Sequence, residues 1–217
     1  MKIKNNLDKI IYTNLYDSMI LGEYHMGDTL LITDIAEKFE VSRTPAAQAL
    51  SRLSIEGLLE KRSNGRFQIP NYTIKDIDDV CETRILFEQA AIRHIFSSKL
   101  LRNKVLSDLK IHQNNCASTI KTHDYLEFSR EDLEFHRAIV QGMDNAVLSE
   151  LFKNIQGRFV IANYLAFPLM ERNFDKTIDE HNHIIEIFEK GSVEEAVSMI
   201  EKHIYQVTQI VRERDQN

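Results

Sequence analysis

Val41-Ser42-Arg43-Thr44-Pro45-Ala46-Ala47-Gln48-Ala49-Leu50-Ser51-Arg52-Leu53 is the stretch on which the reading of the whole chain turns. Ser42 or Thr44 can cap the start of a helix, and Pro45 suits the first turn, where a missing N–H costs nothing. Ala46, Ala49, Leu50 and Leu53 recur at helical spacing and give the helix an inward face. Arg43, Thr44, Gln48 and Arg52 are left outward, as a helix laid into a DNA groove requires. An ordinary surface helix carries the same pattern, so the flanking residues have to decide.

Upstream, Leu7, Ile11, Leu15 and Met19 mark an amphipathic helix that stops at Gly22, and Gly27-Asp28 makes a turn. Thr33-Asp34 opens a short helix whose inward residues are Ile35, Ala36 and Phe39, and Glu40-Val41 turns the chain into residues 41–53. Two short helices joined by a tight turn form a helix-turn-helix, in which the second helix enters the major groove. Downstream, Gly57 ends the helix, and extended runs at 58–62 and 66–69 flank Ser63-Asn64-Gly65, a hairpin signal. A basic hairpin at that point is a wing, with Lys61, Arg62 and Arg66 placed for phosphate or minor-groove contact.

Residues 7–69 resemble the winged DNA-binding domain of the GntR family of bacterial transcription regulators. The resemblance rests on Gly22-Glu23-Tyr24, Gly27-Asp28, Val41-Ser42-Arg43-Thr44-Pro45, Ala49-Leu50 and Glu56-Gly57-Leu58, which occur in order and at the expected spacing. The family usually has Val-Arg-Glu where this chain has Ala46-Ala47-Gln48, so Ala47 stands at a frequent DNA-contacting arginine. Arg43, Thr44 and the wing glycine Gly65 are retained. The expected DNA-binding set is Thr33, Arg43, Thr44, Gln48, Arg52, Lys61, Arg62, Gly65 and Arg66.

Composition agrees with a helical protein of two parts. The 217 residues include only 7 Gly and 3 Pro, and 43% hydrophobic with 28% charged residues is ordinary for a soluble globular chain. Residues 1–70 balance nine Lys and Arg against nine Asp and Glu, so the whole net charge of −6 lies in the remainder. Such a neutral segment permits DNA contact without requiring it. No apolar run approaches the length of a membrane span, and no secretory leader opens the sequence. Cys81 and Cys116 lack paired spacing and read as buried, reduced thiols of a cytoplasmic protein.

Pro70-Asn71 marks the expected boundary between a DNA-binding domain at 1–70 and an all-α antiparallel bundle at 71–217. The fold class is therefore mainly α, with a small β-hairpin wing. Apolar spacing predicts a long helix through Ile77–Ile95, then helices at 105–120, 125–140, 147–167 (closed by Pro168), 177–190 and 192–214. Thr177 with Glu180 and Ser192 with Glu195 fit capping boxes.

The apolar stripes also sort the histidines. Asp132 and His136 lie one turn apart on the inward face marked by Phe128, Phe135 and Ile139. His181 aligns with Ile184, Ile185 and Phe188, and His203 with Ala196, Met199 and Ile210. A buried carboxylate is costly unless paired or metal-bound. One carboxylate and three imidazoles on three helices suit a first-row divalent transition metal such as Zn, Ni, Mn or Fe.

Residues 74–210 resemble the helical ligand-binding domain of the FadR subfamily of GntR regulators, in its shorter six-helix variety. Asp132-Leu133-Glu134-Phe135-His136, Glu180-His181-Asn182-His183-Ile184 and His203 carry that resemblance, which implies Asp132, His136, His181 and His203 as metal ligands. Arg84 and Glu88 match an Arg-x-x-x-Glu element, in which Arg84 either pairs with an effector carboxylate or forms a structural salt bridge with Glu88. Together the resemblances imply a homodimeric regulator that binds palindromic operator DNA under the control of a small organic acid at or near the metal. A metal-responsive regulator and, less favoured, a metal-dependent enzyme are the alternatives. No additional base beside the ligands is evident in the sequence, and an enzyme would leave the winged part unexplained.

Overall fold

The structure, a computed structural model, describes residues 6–166 and 173–215, with side chains through 159 and from 173 to 206. The order of elements is α1 (Leu7–Ile20), β1 (Thr29–Leu30), α2 (Ile32–Lys38), α3 (Arg43–Ile55), β2 (Glu60–Lys61), β3 (Phe67–Gln68), α4 (Ile74–Phe96), α5 (Lys99–Thr122), α6 (Tyr125–Gln141), α7 (Ala146–Ala166), α8 (Phe174–Lys190) and α9 (Val193–Asp215).

In the N-terminal part, Ile11, Leu15 and Met19 of α1 bury against Ala46, Ala49, Leu50 and Leu53 of α3, with Leu58, Phe67 and Ile69 closing the core. Ser42 occupies the N-cap of α3 but makes no side-chain capping hydrogen bond. The wing is a three-stranded antiparallel sheet in the order β1-β3-β2, with Leu30 opposite Phe67 and Lys61 opposite the same residue on the other side. At its tip the Gly65 N–H donates to the Arg62 carbonyl at 2.9 Å, and Gly65 takes φ +78°. A three-residue loop closed by a left-handed glycine is a favoured hairpin geometry.

The segment 70–73 leads into α4, which opens with a reciprocal capping box between Thr73 and Asp76. Helices α4, α5, α6, α7, α8 and α9 then pack around a core that includes Ile92, Ile95, Leu109, Phe135, Ile139, Phe188 and Ile200. Ser192 and Glu195 form the expected capping box at the start of α9. The box expected at Thr177 and Glu180 does not form. Helix α8 starts one turn earlier, capped by Asn173, whose side chain accepts from the Lys176 N–H. This start stacks Phe174 on Tyr125, with ring centroids 4.7 Å apart, and sets it edge-on to Phe128. Burial of an aromatic ring outweighs one capping box. The closing residue expected for α7, Pro168, lies outside the described residues.

The two parts touch along one seam. Arg130 of α6 donates to Asp17 of α1 at 2.7 Å, Tyr72 Oη donates to the Gly57 carbonyl at 3.2 Å, and Arg158 Nε of α7 donates to the Glu56 carbonyl at 3.3 Å. No helix among the described residues is long and apolar enough to cross a membrane.

Candidate functional site

Helix α6 supplies Asp132 and His136 from adjacent turns, α8 supplies His181 and α9 supplies His203. One donor atom from each lies within 4.8 Å of all the others. His136 Nε2 is 3.1 Å from His203 Nε2, and His181 Nε2 is 3.4 Å from Asp132 Oδ1. The His181 ring stacks on Phe135 at a centroid distance of 3.9 Å, which fixes its plane.

Each imidazole is held from behind through Nδ1. Glu88 Oε2 of α4 lies 2.7 Å from His136 Nδ1, Gln113 Oε1 of α5 lies 3.1 Å from His181 Nδ1, and Glu180 Oε2 lies 2.8 Å from His203 Nδ1. An acceptor at Nδ1 puts the proton there and leaves the Nε2 lone pair aimed at the centre, the support that metal-ligating histidines receive. Burial, with the charges of Arg84 and His203 adding to it, holds His136 well below its ordinary value. Burial does so for His181 as well, with His203, His136 and Arg84 adding to it, and its Nε2 is buried without a hydrogen-bond partner. Neutral imidazoles whose lone pairs converge at such distances repel unless a cation lies among them. Three nitrogens and one carboxylate oxygen therefore fit a divalent transition ion, and these are the residues that could hold it.

Arg84 and Glu88 adjoin this cluster and are fully buried. Arg84 Nε donates to Glu88 Oε1 at 2.8 Å, and its guanidinium lies 4.1 Å from the centre of the Phe159 ring. Burial pushes the Glu88 carboxyl up, against the opposing pull of Arg84. The structural salt bridge left open by the sequence is thus present, and one donor remains over: Arg84 Nη2 is buried with no hydrogen-bond partner. Glu88, Gln113 and Glu180 are the supporting residues that sequence reasoning did not single out as such. Their only signal was a polar residue on an inward helical face.

On the winged part, Thr33, Arg43, Thr44 and Gln48 come together with Ile32, Ala47 and Ser51 around one open concavity. Arg52 is not among them. It pairs with Glu56 at 3.0 Å and its guanidinium lies 4.0 Å from the Tyr12 ring centre, so it faces α1. On the wing, Arg62 is engaged by Glu60 and Gln68, both at 2.7 Å, whereas Lys61, Gly65 and Arg66 are exposed.

Comparison with known proteins matches residues 7–69 to the model described as bacterial regulatory proteins of the gntR family, and residues 79–206 to the FCD domain. The uncharacterized HTH-type transcriptional regulator YdhC of Bacillus subtilis is 24% identical over 88% of this chain and 85% of its own length. The gluconate operon transcriptional repressor of the same organism is 25% identical over 77% of this chain and 70% of its own length. Among solved structures, McbR/YncC of E. coli superposes with a TM-score of 0.76 at 17% identity, over 96% of this chain and 98% of that one. The relatives named here are regulators and none is an enzyme. The two family models lie in tandem, one over the winged part and the other over the helical bundle, and the chain belongs to the GntR family of bacterial transcriptional regulators, in the group with an FCD domain.

Proposed function

We propose that this regulator is a cytoplasmic homodimer that binds a palindromic operator, and that a small organic acid, recognised beside a divalent metal in the helical domain, controls that binding. The observation that carries the reading is the combination of three imidazoles, each held through Nδ1, with a spare buried guanidinium N–H next to them. Bound among Asp132, His136, His181 and His203, a divalent ion supplies positive charge and coordination positions for a carboxylate. Arg84 Nη2 supplies a second, charge-assisted contact for the same anion. A gluconate operon repressor among the relatives supports an acid of this general kind. The domain assignment at 1–70 and 71–217 belongs to the same proposal.

Control requires that the acid prefer one arrangement of the two parts, since equal affinity for both shifts nothing. Helix α7 is placed for this. Phe159 lies under Arg84, and the adjoining Arg158 holds the carbonyl of Glu56, just past the end of the reading helix α3. The test is an operator titration with chelator-stripped and Zn- or Ni-loaded protein, with and without gluconate, citrate and lactate. The expected result is a shift in operator affinity only with metal and acid together, abolished in Arg84→Lys. A full switch by metal alone would replace the acid with the ion as signal, and no response to either would refute control through this cluster.

A further inference from the structure

The concavity on the reading face is mostly apolar. Ile32, at the first position of α2, and Ala47, in the second turn of α3, are both half-buried and leave methyl groups open to whatever enters. Arg43, Thr44 and Gln48 stand around them. A long polar side chain at position 47 would fill this space; alanine leaves it open.

Laid in the major groove, this face meets base edges that are almost wholly hydrogen-bonding groups, and the one apolar group among them is the 5-methyl of thymine. A cytosine edge would bring its N4 amine to an apolar wall and lose a hydrogen bond. We infer that Ala47 is a specificity-determining residue that reads a thymine through its 5-methyl group, seated between Ala47 and Ile32. Arg43 and Gln48 flank the recess with side chains suited to guanine and to adenine. This inference rests on the operator-binding reading above. It makes position 47 a reader by shape where a longer residue would read by hydrogen bonds.

The experiment selects binding sites for the full chain from a random duplex pool, then replaces each thymine of the enriched half-site singly by deoxyuridine, which removes only the methyl. At one thymine per half-site the replacement weakens binding about fourfold, as expected for one buried methyl, and at the others it is near neutral. At that position deoxycytidine binds worse than thymidine, and 5-methyldeoxycytidine recovers part of the loss. Ala47→Arg abolishes the deoxyuridine effect and shifts selection toward guanine there. An enriched half-site with no methyl-sensitive thymine, or unchanged sensitivity in Ala47→Arg, overturns the assignment of Ala47. Failure to enrich any half-site overturns instead the operator-binding reading beneath it.

Discussion

Glu88→Gln tests the claim that the cluster is built for a metal. Glu88 accepts from Arg84 Nε at 2.8 Å on one oxygen and holds His136 Nδ1 at 2.7 Å on the other. Glutamine keeps one acceptor and turns an NH2 toward the remaining donor. If the amide carbonyl stays with Arg84, the NH2 faces Nδ1, the imidazole tautomer inverts, and a proton appears on Nε2 where a lone pair is needed. If the carbonyl goes to His136, the NH2 opposes the Arg84 Nε–H, and in either orientation the buried guanidinium loses its counter-charge. Breaking a buried pair costs about 3–5 kcal/mol, against a total stability typically of about 5–15 kcal/mol, so the variant remains mostly folded. Loss of outer support to a ligating histidine weakens metal binding about 10- to 100-fold, equivalent to about 1.4–2.7 kcal/mol of lost metal-dependent stabilisation. Calorimetric titration of chelator-stripped protein with Zn or Ni measures the first quantity, and the metal-induced rise in Tm measures the second. Gln113→Leu removes the acceptor behind His181 with no change of charge and is expected to act in the same direction. Metal affinity within roughly threefold of wild type in both variants would refute the reasoning, since the 10- to 100-fold range would then be missed twice.

Arg43→Ala removes an exposed side chain at the reading face and should weaken operator binding roughly 5- to 150-fold, the range of a lost bidentate base contact of ~1–3 kcal/mol, with helical circular dichroism unchanged; an unaltered gel-shift titration would remove it from the readers. Gly57→Ala introduces a side chain at φ +77° that collides with the Arg158 guanidinium, so it should cost about 1–2 kcal/mol and reduce the response of operator binding to acid more than basal binding; an unchanged response means that the seam does not transmit it. Burial pushes the Cys81 thiol up to about 12 and raises Cys116 as well, so a disulfide reagent at pH 8 should label neither in native protein and both in denaturant; rapid native labelling contradicts the packing. In chelator-stripped protein, His136 and His181 resist protonation while the unfolded chain takes protons near the ordinary value of 6.5. Stability is therefore complete above that pH and falls below it, and equal urea midpoints at pH 7.5 and 5.5 would show that these rings are not held neutral.

The helices were legible because their apolar residues recur at one period, and the four donors because they interrupt those stripes. Asp132, His136, His181 and His203 occupy positions where an apolar residue is expected, and such a departure is itself a signal. Their supports Glu88 and Gln113 interrupt apolar faces in the same way, but nothing in the sequence tells which histidine each one holds. Glu88, Gln113 and Glu180 lie 48, 68 and 23 residues from the histidines they hold, and only the packing of α4, α5 and α8 brings them there. Strand β1 escaped notice because two residues, Thr29 and Leu30, show no period; it exists through its pairing with β3. The partners of Arg52 were not legible, because outward on a helix does not say what a neighbouring element brings: α1 places Tyr12 against it, and Glu56 sits one turn along.

Helix α7 makes the two halves of the reading depend on each other. Its inward face carries Gln156, whose amide donates to the carbonyl of Leu133 beside Asp132, and Phe159, which lies against Arg84. Its other face carries Gly157, where an added Cβ would come into ordinary contact with Leu58, and Arg158 at the Glu56 carbonyl. Contiguity of this kind does not by itself amount to coupling. Under the proposed control, a change that re-seats Phe159 would be passed to the neighbouring Arg158, because packed helices move between discrete arrangements rather than deforming softly. The far contact is with backbone just past the end of α3, not with a loop tip. In that proposal a small displacement there would tilt the helix that bears Arg43, Ala47 and Gln48 toward or away from the groove. In the proposed homodimer on a two-fold operator the same tilt would act at both half-sites, so a modest preference of the proposed acid for one arrangement would be counted twice in the binding free energy.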